Sequence, residues 1–191
     1  PVLAEYKATR SAEEVKALID RVAGTLAAVL LVLTAVVILL APQIARLIAP
    51  NFDDAQMAML TDLLQVTFPY ALFISLASLV GAVLNSYQRF AIPALSPILL
   101  NVAMISAAFA AQTWFASSVM VLGWGVFIAG VLQLGFQLPS LFRLGLLPRP
   151  KLDVAHAGVR KILTLMVPTL FGSSVAQFNL LLNTWVATLL I

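Results

Sequence analysis

Few side chains in this sequence could do bond chemistry, and none of them is grouped to do it. There is one histidine, His156, and no cysteine. Thiolate nucleophiles and cysteine metal sites are therefore outside the repertoire. Asp53 and Asp54 adjoin, but no His, Lys or further carboxylate stands near enough in sequence to complete an acid–base pair or a ligand set. His156 sits among basic residues, where a solvated loop imidazole is the expected reading. No catalytic residue and no metal site is expected.

The informative polar groups are amides and hydroxyls embedded in oily sequence. Toward the C-terminal end, Thr169, Gly172, Ser173, Ala176, Gln177, Asn179, Asn183 and Thr184 share one arc of roughly 160° on a helical wheel, with Phe171, Val175, Phe178, Leu182, Trp185 and Leu189 opposite. An unpaired amide in hydrocarbon costs several kcal/mol, so this face must meet protein or water. Helix–helix hydrogen bonding and a water-filled path both satisfy that demand. On the second reading Thr169, Ser173, Gln177, Asn179, Asn183 and Thr184 line the path. Pro168 removes a backbone donor at the start of the same run.

Other polar or small residues read as packing devices. Ala71, Ser75, Ser78, Ala82 and Asn85 recur at helical spacing on one face, with Gly81 beside them. Small residues let two backbones approach closely, and hydroxyls can bond across the gap. Gly123, Gly125, Gly130 and Gly135 point the same way. Pro93 and Pro97 open a helix in which Asn101 fits an interhelical hydrogen bond.

What must position these groups is a bilayer-spanning scaffold. Apolar residues make up 62% of the 191 and charged residues only 10%. No Asp, Glu, Lys or Arg occurs between Arg89 and Arg143, or after Lys161. A soluble fold has no comparable stretch, whereas hydrocarbon demands about 20 apolar residues per spanning helix. We expect an all-α, polytopic transmembrane helix bundle with five spans: Val22 to Ala45, Leu63 to Gln88, about Pro97 to Thr113, about Val119 to Leu141, and Ile162 onward. The uncharged run from Phe90 to Leu141 must break, most naturally near Trp114 to Ser118.

Charge sets orientation. Ten of the eleven Lys and Arg lie on alternate connecting segments, and only Arg46 lies on the others. Basic residues are retained in the cytoplasm, so the N-terminal segment, the Arg89 turn and the Arg143–Lys161 loop are expected there. The net charge of +3 is then a topology signal, and no nucleic-acid partner is expected. Tyr87, Trp114 and Trp185 fall near predicted helix ends, as interfacial aromatics do. Ser11-Ala12-Glu13-Glu14 is a capping-box pattern that starts the first helix in water, and Asp53 or Asp54 either caps the helix leading to the second span or is a loop carboxylate in water. The first 21 residues carry eight charges and no apolar leader-like run. Starting at Pro1 and stopping at Ile191 inside an apolar run, the sequence reads as an internal piece of a larger membrane protein.

Several runs resemble a known family. Thr67-Phe68-Pro69-Tyr70, Ser75 through Asn85, Arg89-Phe90-Ala91-Ile92-Pro93-Ala94, Pro97 through Asn101 and Gly130-Val131-Leu132-Gln133-Leu134 are similar to the MurJ (MviN) family of bacterial lipid II flippases. These belong to the multidrug/oligosaccharidyl-lipid/polysaccharide exporter superfamily. The resemblance implies helices three to seven of a fourteen-helix transporter in the bacterial inner membrane. Residues 1–21 would be a cytoplasmic segment and helix start, 22–141 four helices completing an N-terminal lobe, 142–161 a basic cytoplasmic loop, and 162–191 the first helix of a second lobe. It further implies lipid II, an undecaprenyl-pyrophosphate-linked precursor, as partner, with membrane lipid and the remaining helices around it. The family's phosphate-gripping arginines would lie mainly on its first, second and eighth helices, outside this piece apart from the end of the second near Pro1. Some members carry an acidic sodium ligand on the seventh helix. The matching position here is Asn183, which is neutral. No cofactor is implied, and nothing here specifies whether Na+ or membrane potential drives the cycle. Other exporters of the superfamily (an O-antigen or polysaccharide flippase, a drug antiporter) and a non-transporting scaffold remain alternatives, and an enzyme does not.

Overall fold

In the computed structural model, residues 2–113, 119–153 and 155–189 are described, with no strand among them. Short α1 (Val2–Thr9) precedes α2 (Ala12–Leu39), whose start is the expected capping box: Ser11 accepts from the Glu14 N–H and the Glu14 side chain accepts from the Ser11 N–H. A second box starts α4 (Asp54–Thr67), with Asp53 at the cap and Gln56 reaching back. Each box satisfies two backbone donors that a helix start otherwise leaves orphaned.

Three boundaries differ from the expected spans. The first span breaks at Leu40, where Pro42 opens a separate helix, α3 (Ala41–Ile48). The second is α4 followed at once by α5 (Pro69–Ser86), Pro69 occupying a first-turn position where a missing N–H costs nothing. A single turn, α6 (Ala91–Ala94), leads into α7 (Ser96–Thr113), and α8 (Val119–Arg143) returns. The break expected between α7 and α8 falls on 114–118, outside the described residues. Finally α9 (Ala157–Leu189) begins before Ile162, so Arg160 and Lys161 belong to its first turns and the connecting loop is 144–156.

Among the described residues four helical stretches are long and apolar enough to cross a membrane: Ala12–Leu39, Asp54–Ser86, Ala91–Thr113 and Val119–Arg143. The fifth expected span, α9, has the length and carries no charge after Lys161, and many of its side chains from Thr169 onward lie outside the described residues.

The bundle is organised by α8, which packs against α5 and α7, while α2 packs on α5 and α3 on α4. The buried face of α8 follows a strict four-residue step: Gly125, Ala129, Gln133, Gln137 and Leu141. On α7 the facing residues are Ala103, Ala107 and Ala111, again four apart. Without a hydrophobic driving force in lipid, such small residues supply the close contact that holds helices together. Gly123, Gly125 and Gly130 each abut a neighbouring helix, at Leu63, Ala107 and Tyr70 respectively, whereas Gly135 meets nothing within 4 Å. Phe73, Phe127 and Trp124 stack edge to face in the same region.

A Cβ added at Gly125 would stand 2.6 Å from that of Ala107. We therefore expect Gly125→Ala to cost ~1–3 kcal/mol by forcing α7 and α8 apart. Thermal melting of the full-length protein should show the loss, and Ala107→Gly in the same chain should restore most of it.

Candidate functional site

All charge-rich segments except the Arg46 turn gather at one end. Lys7 donates to the Ser86 carbonyl at 2.6 Å and lies 4.0 Å from the Tyr87 ring centroid. Lys161 pairs with Glu5 at 2.6 Å, and Arg21 with Asp153 at 2.9 Å. The three segments expected on a common side are thus in mutual contact. At the other end, Gln65 bonds the Ile38 carbonyl and Gly123 meets Leu63, with α3 and the start of α4 beyond. A core of Val15, Ile19, Val80, Val83, Leu84, Leu141 and Leu146 lies under the charged end.

Residues 144–153 form a strap across α2. Asp20, buried, accepts from the Arg149 N–H at 2.8 Å and from Lys16, while its own carbonyl accepts from the Lys151 N–H at 3.1 Å. Gly24 makes the close approach possible: a Cβ there would stand 2.5 Å from the Lys151 nitrogen. His156 differs from the solvated loop imidazole expected. It is half-buried, its N–H donates to Asp153, and its Nδ1 accepts from the Gly158 N–H, closing the first turn of α9.

The stripe on α5 forms one wall of a groove. Ser78, Gly81, Ala82 and Asn85 face Pro93, Ser96 and Gln137 across a cavity of about 320 Å³. Gly81 lies against Pro93 and Gln137, Ser75 is half-buried, and Ser78, Ala82 and Asn85 are exposed. The Ser78 hydroxyl bonds back to the Ile74 carbonyl of its own helix. Beneath the groove is a polar cluster the sequence reading did not single out. Gln133 Nε2 donates to the Ser96 carbonyl at 2.8 Å, and Gln137 Nε2 to the Ser96 hydroxyl at 2.9 Å. Both glutamines are 2% exposed, and the Oε1 of each has no partner among the described residues. The signal was present: two amides one turn apart, in register with Gly125 and Ala129.

Of the expected path residues on α9, Gln177, Asn179 and Asn183 are exposed, while the side chains of Thr169, Ser173 and Thr184 lie outside the described residues. Phe178 and Leu182 on the opposite face are exposed as well. The helix touches the bundle through its first turns, Gly158 meeting Leu18 and Tyr6 and Val159 being buried. Asn101 is exposed on α7, Trp114 lies outside the described residues, and so does the Trp185 side chain. No group of three His, Cys, Asp or Glu among the described residues could hold a metal.

Fold and polar groups together define a section of a multi-pass helical membrane protein, with uncharged polar groups at depth and its charges mostly held at one end. The chain belongs to the MurJ family: the family model described as lipid II flippase MurJ matches residues 1–191. It is 38% identical over 194 residues to the lipid II flippase MurJ of Burkholderia cenocepacia, covering 98% of this chain and 38% of that protein. It is also 38% identical over 201 residues to a probable lipid II flippase MurJ of Vibrio cholerae, and 36% over 192 residues to one of Buchnera aphidicola from Acyrthosiphon pisum. Both matches cover all of this chain and 38% of the relative. The chain therefore spans well under half the length of these relatives.

Removing the Asp20 carboxylate should release the strap. In Asp20→Ala, trypsin is expected to cut the Lys151–Leu152 bond several-fold faster than in the parent, while Arg149 stays protected by Pro150. Fragment appearance over time, followed on gels or by mass spectrometry, checks this.

Proposed function

We propose that this chain is part of a flippase that moves lipid II across the bacterial cytoplasmic membrane by alternating access. The observation that carries the reading is the whole-length match to the MurJ family model in a bundle whose spans hold amides and hydroxyls instead of charges. A pyrophosphate and a sugar–peptide head group cannot enter hydrocarbon unaided, so a polar wall must shield them while the lipid tail stays outside. Nothing in that task breaks a covalent bond. The protein is a transporter and not an enzyme.

Residues 22–141 then complete a first lobe, the loop that carries the 144–153 strap links it to a second, and α9 opens the second lobe. The polar face of α9 (Thr169, Ser173, Gln177, Asn179, Asn183 and Thr184) lines the substrate path, and helices outside this chain supply the cations for the pyrophosphate. Ser75, Ser78, Gly81, Ala82, Asn85 and Asn101 serve the packing of the first lobe. Its charged end faces the cytoplasm, where basic segments are retained.

Gln177→Leu and Asn179→Leu in the full-length protein are expected to impair export, read as failure to rescue growth when the resident flippase is depleted. Full rescue by both would reduce this face to helix packing. Independently, single cysteines at positions 54 and 150 should label with a membrane-impermeant maleimide from opposite sides of the membrane. Labelling from one side would overturn the topology.

A further inference from the structure

The strap does more than connect. Where it crosses α2 it encloses a cavity of about 500 Å³ lined by Lys16, Asp20, Phe142, Gly145, Leu147, Arg149 and Lys151. Three cations and one carboxylate make it net positive. The carboxylate is already committed, to Lys16 and to the Arg149 N–H. Among the described residues neither the Arg149 guanidinium nor the Lys151 ammonium has an ion-pair partner, and both residues are exposed. Their backbones are nonetheless held in place by the two bonds to Asp20, and Arg149 is flanked by Pro148 and Pro150, which fix φ on either side. Two unneutralised cations thus sit on preorganised backbone.

The surroundings identify the anion they suit. The cavity lies at the last polar turn of α2, immediately before the charge-free run that starts at Val22, and at the end of α8. Phe142 is 70% exposed and Leu147 40%, both lining the same cavity, and Leu152 beside it is 72% exposed. A free phosphate would use only the cations. A molecule with a phosphate at one end and hydrocarbon at the other uses both, and basic pockets between helices at the cytoplasmic interface bind such head groups.

We propose that this cavity is a binding site for the phosphate of an anionic phospholipid in the leaflet on the charged side, held by Arg149 and Lys151 with Lys16 beside them and with the acyl chains over Phe142 and Leu147. The site is separate from the substrate path and does not depend on the transport reading. Occupancy would tie the strap, and so the link between α8 and α9, to the lipid around the protein.

The test is native mass spectrometry of the detergent-purified full-length protein with phosphatidylglycerol, phosphatidylcholine or glycerol 3-phosphate as probe. Phosphatidylglycerol should be retained in preference to phosphatidylcholine. The double variant Arg149→Gln/Lys151→Gln should weaken that retention roughly 10-fold or more, as expected for two interfacial cations. A charge-matched control, Arg89→Gln/Arg143→Gln, alters the same side but not the cavity, and should change retention less than about 2-fold. Melting curves for both doubles should match the parent, since the altered side chains make no hydrogen bond or ion pair among the described residues. Equal loss in the control would mean diffuse surface attraction and would overturn the site. No preference for the anionic lipid would overturn it too. Equal binding of glycerol 3-phosphate would leave only an anion pocket and reject the lipid as occupant.

Discussion

Hydrocarbon cannot solvate charge or an unpaired peptide group, and the arrangement of this chain follows from that. Stretches such as Ser96–Thr113 and Val119–Phe142 carry no ionisable side chain, so their backbone polarity is closed off within helices. The charges are expelled to the ends, where enough of them collect to act on one another. The ion pairs Lys161–Glu5 and Arg21–Asp153 and the bonds through Asp20 exist because the spans leave these groups nowhere else to go. Each exposed pair contributes little by itself. Their role is to fix which helix ends meet.

Inside the spans the same constraint turns packing into a matter of shape. Apolar side chains gain nothing by leaving lipid for another helix, so contact is won by removing side-chain bulk. Gly125 against Ala107 and Gly130 against Tyr70 are that device. The amides of Gln133 and Gln137 are the complementary one: each finds Ser96 across the gap, and hydrogen bonds of this kind fix register where shape alone would allow sliding.

How much could be read in advance depended on how local each feature was. The Ser11 capping box is confined to four residues and was legible in the sequence, whereas at the second start the sequence offered Asp53 or Asp54 as a cap without the Gln56 partner. The clustering of basic segments at one end was legible too, because charge exclusion acts on every span alike. The break at Leu40 and the early start of α9 were harder, since a charge fence marks where lipid ends and not where a helix does. Residues such as Arg160 and Lys161 extend α9 beyond the apolar run. The Ser96–Gln133–Gln137 cluster and the Asp20–Arg149 bond were invisible for a different reason. Their partners lie 37, 41 and 129 residues apart, and only the fold brings them together. The polar face expected on α9 rests on periodicity alone, since a helix that meets this bundle through its first turns takes its role from whatever stands against it elsewhere.

The single row of residues along α8 has a geometric consequence. From Gly125 to Leu141 the side chains facing the neighbouring helices grow from nothing, through a methyl, to two glutamines and a leucine. Gly125 meets the methyl of Ala107 on α7, while Gln133 and Gln137 reach Ser96 at the start of the same helix with their amides. One row thus serves as a spacer at one end and a clasp at the other.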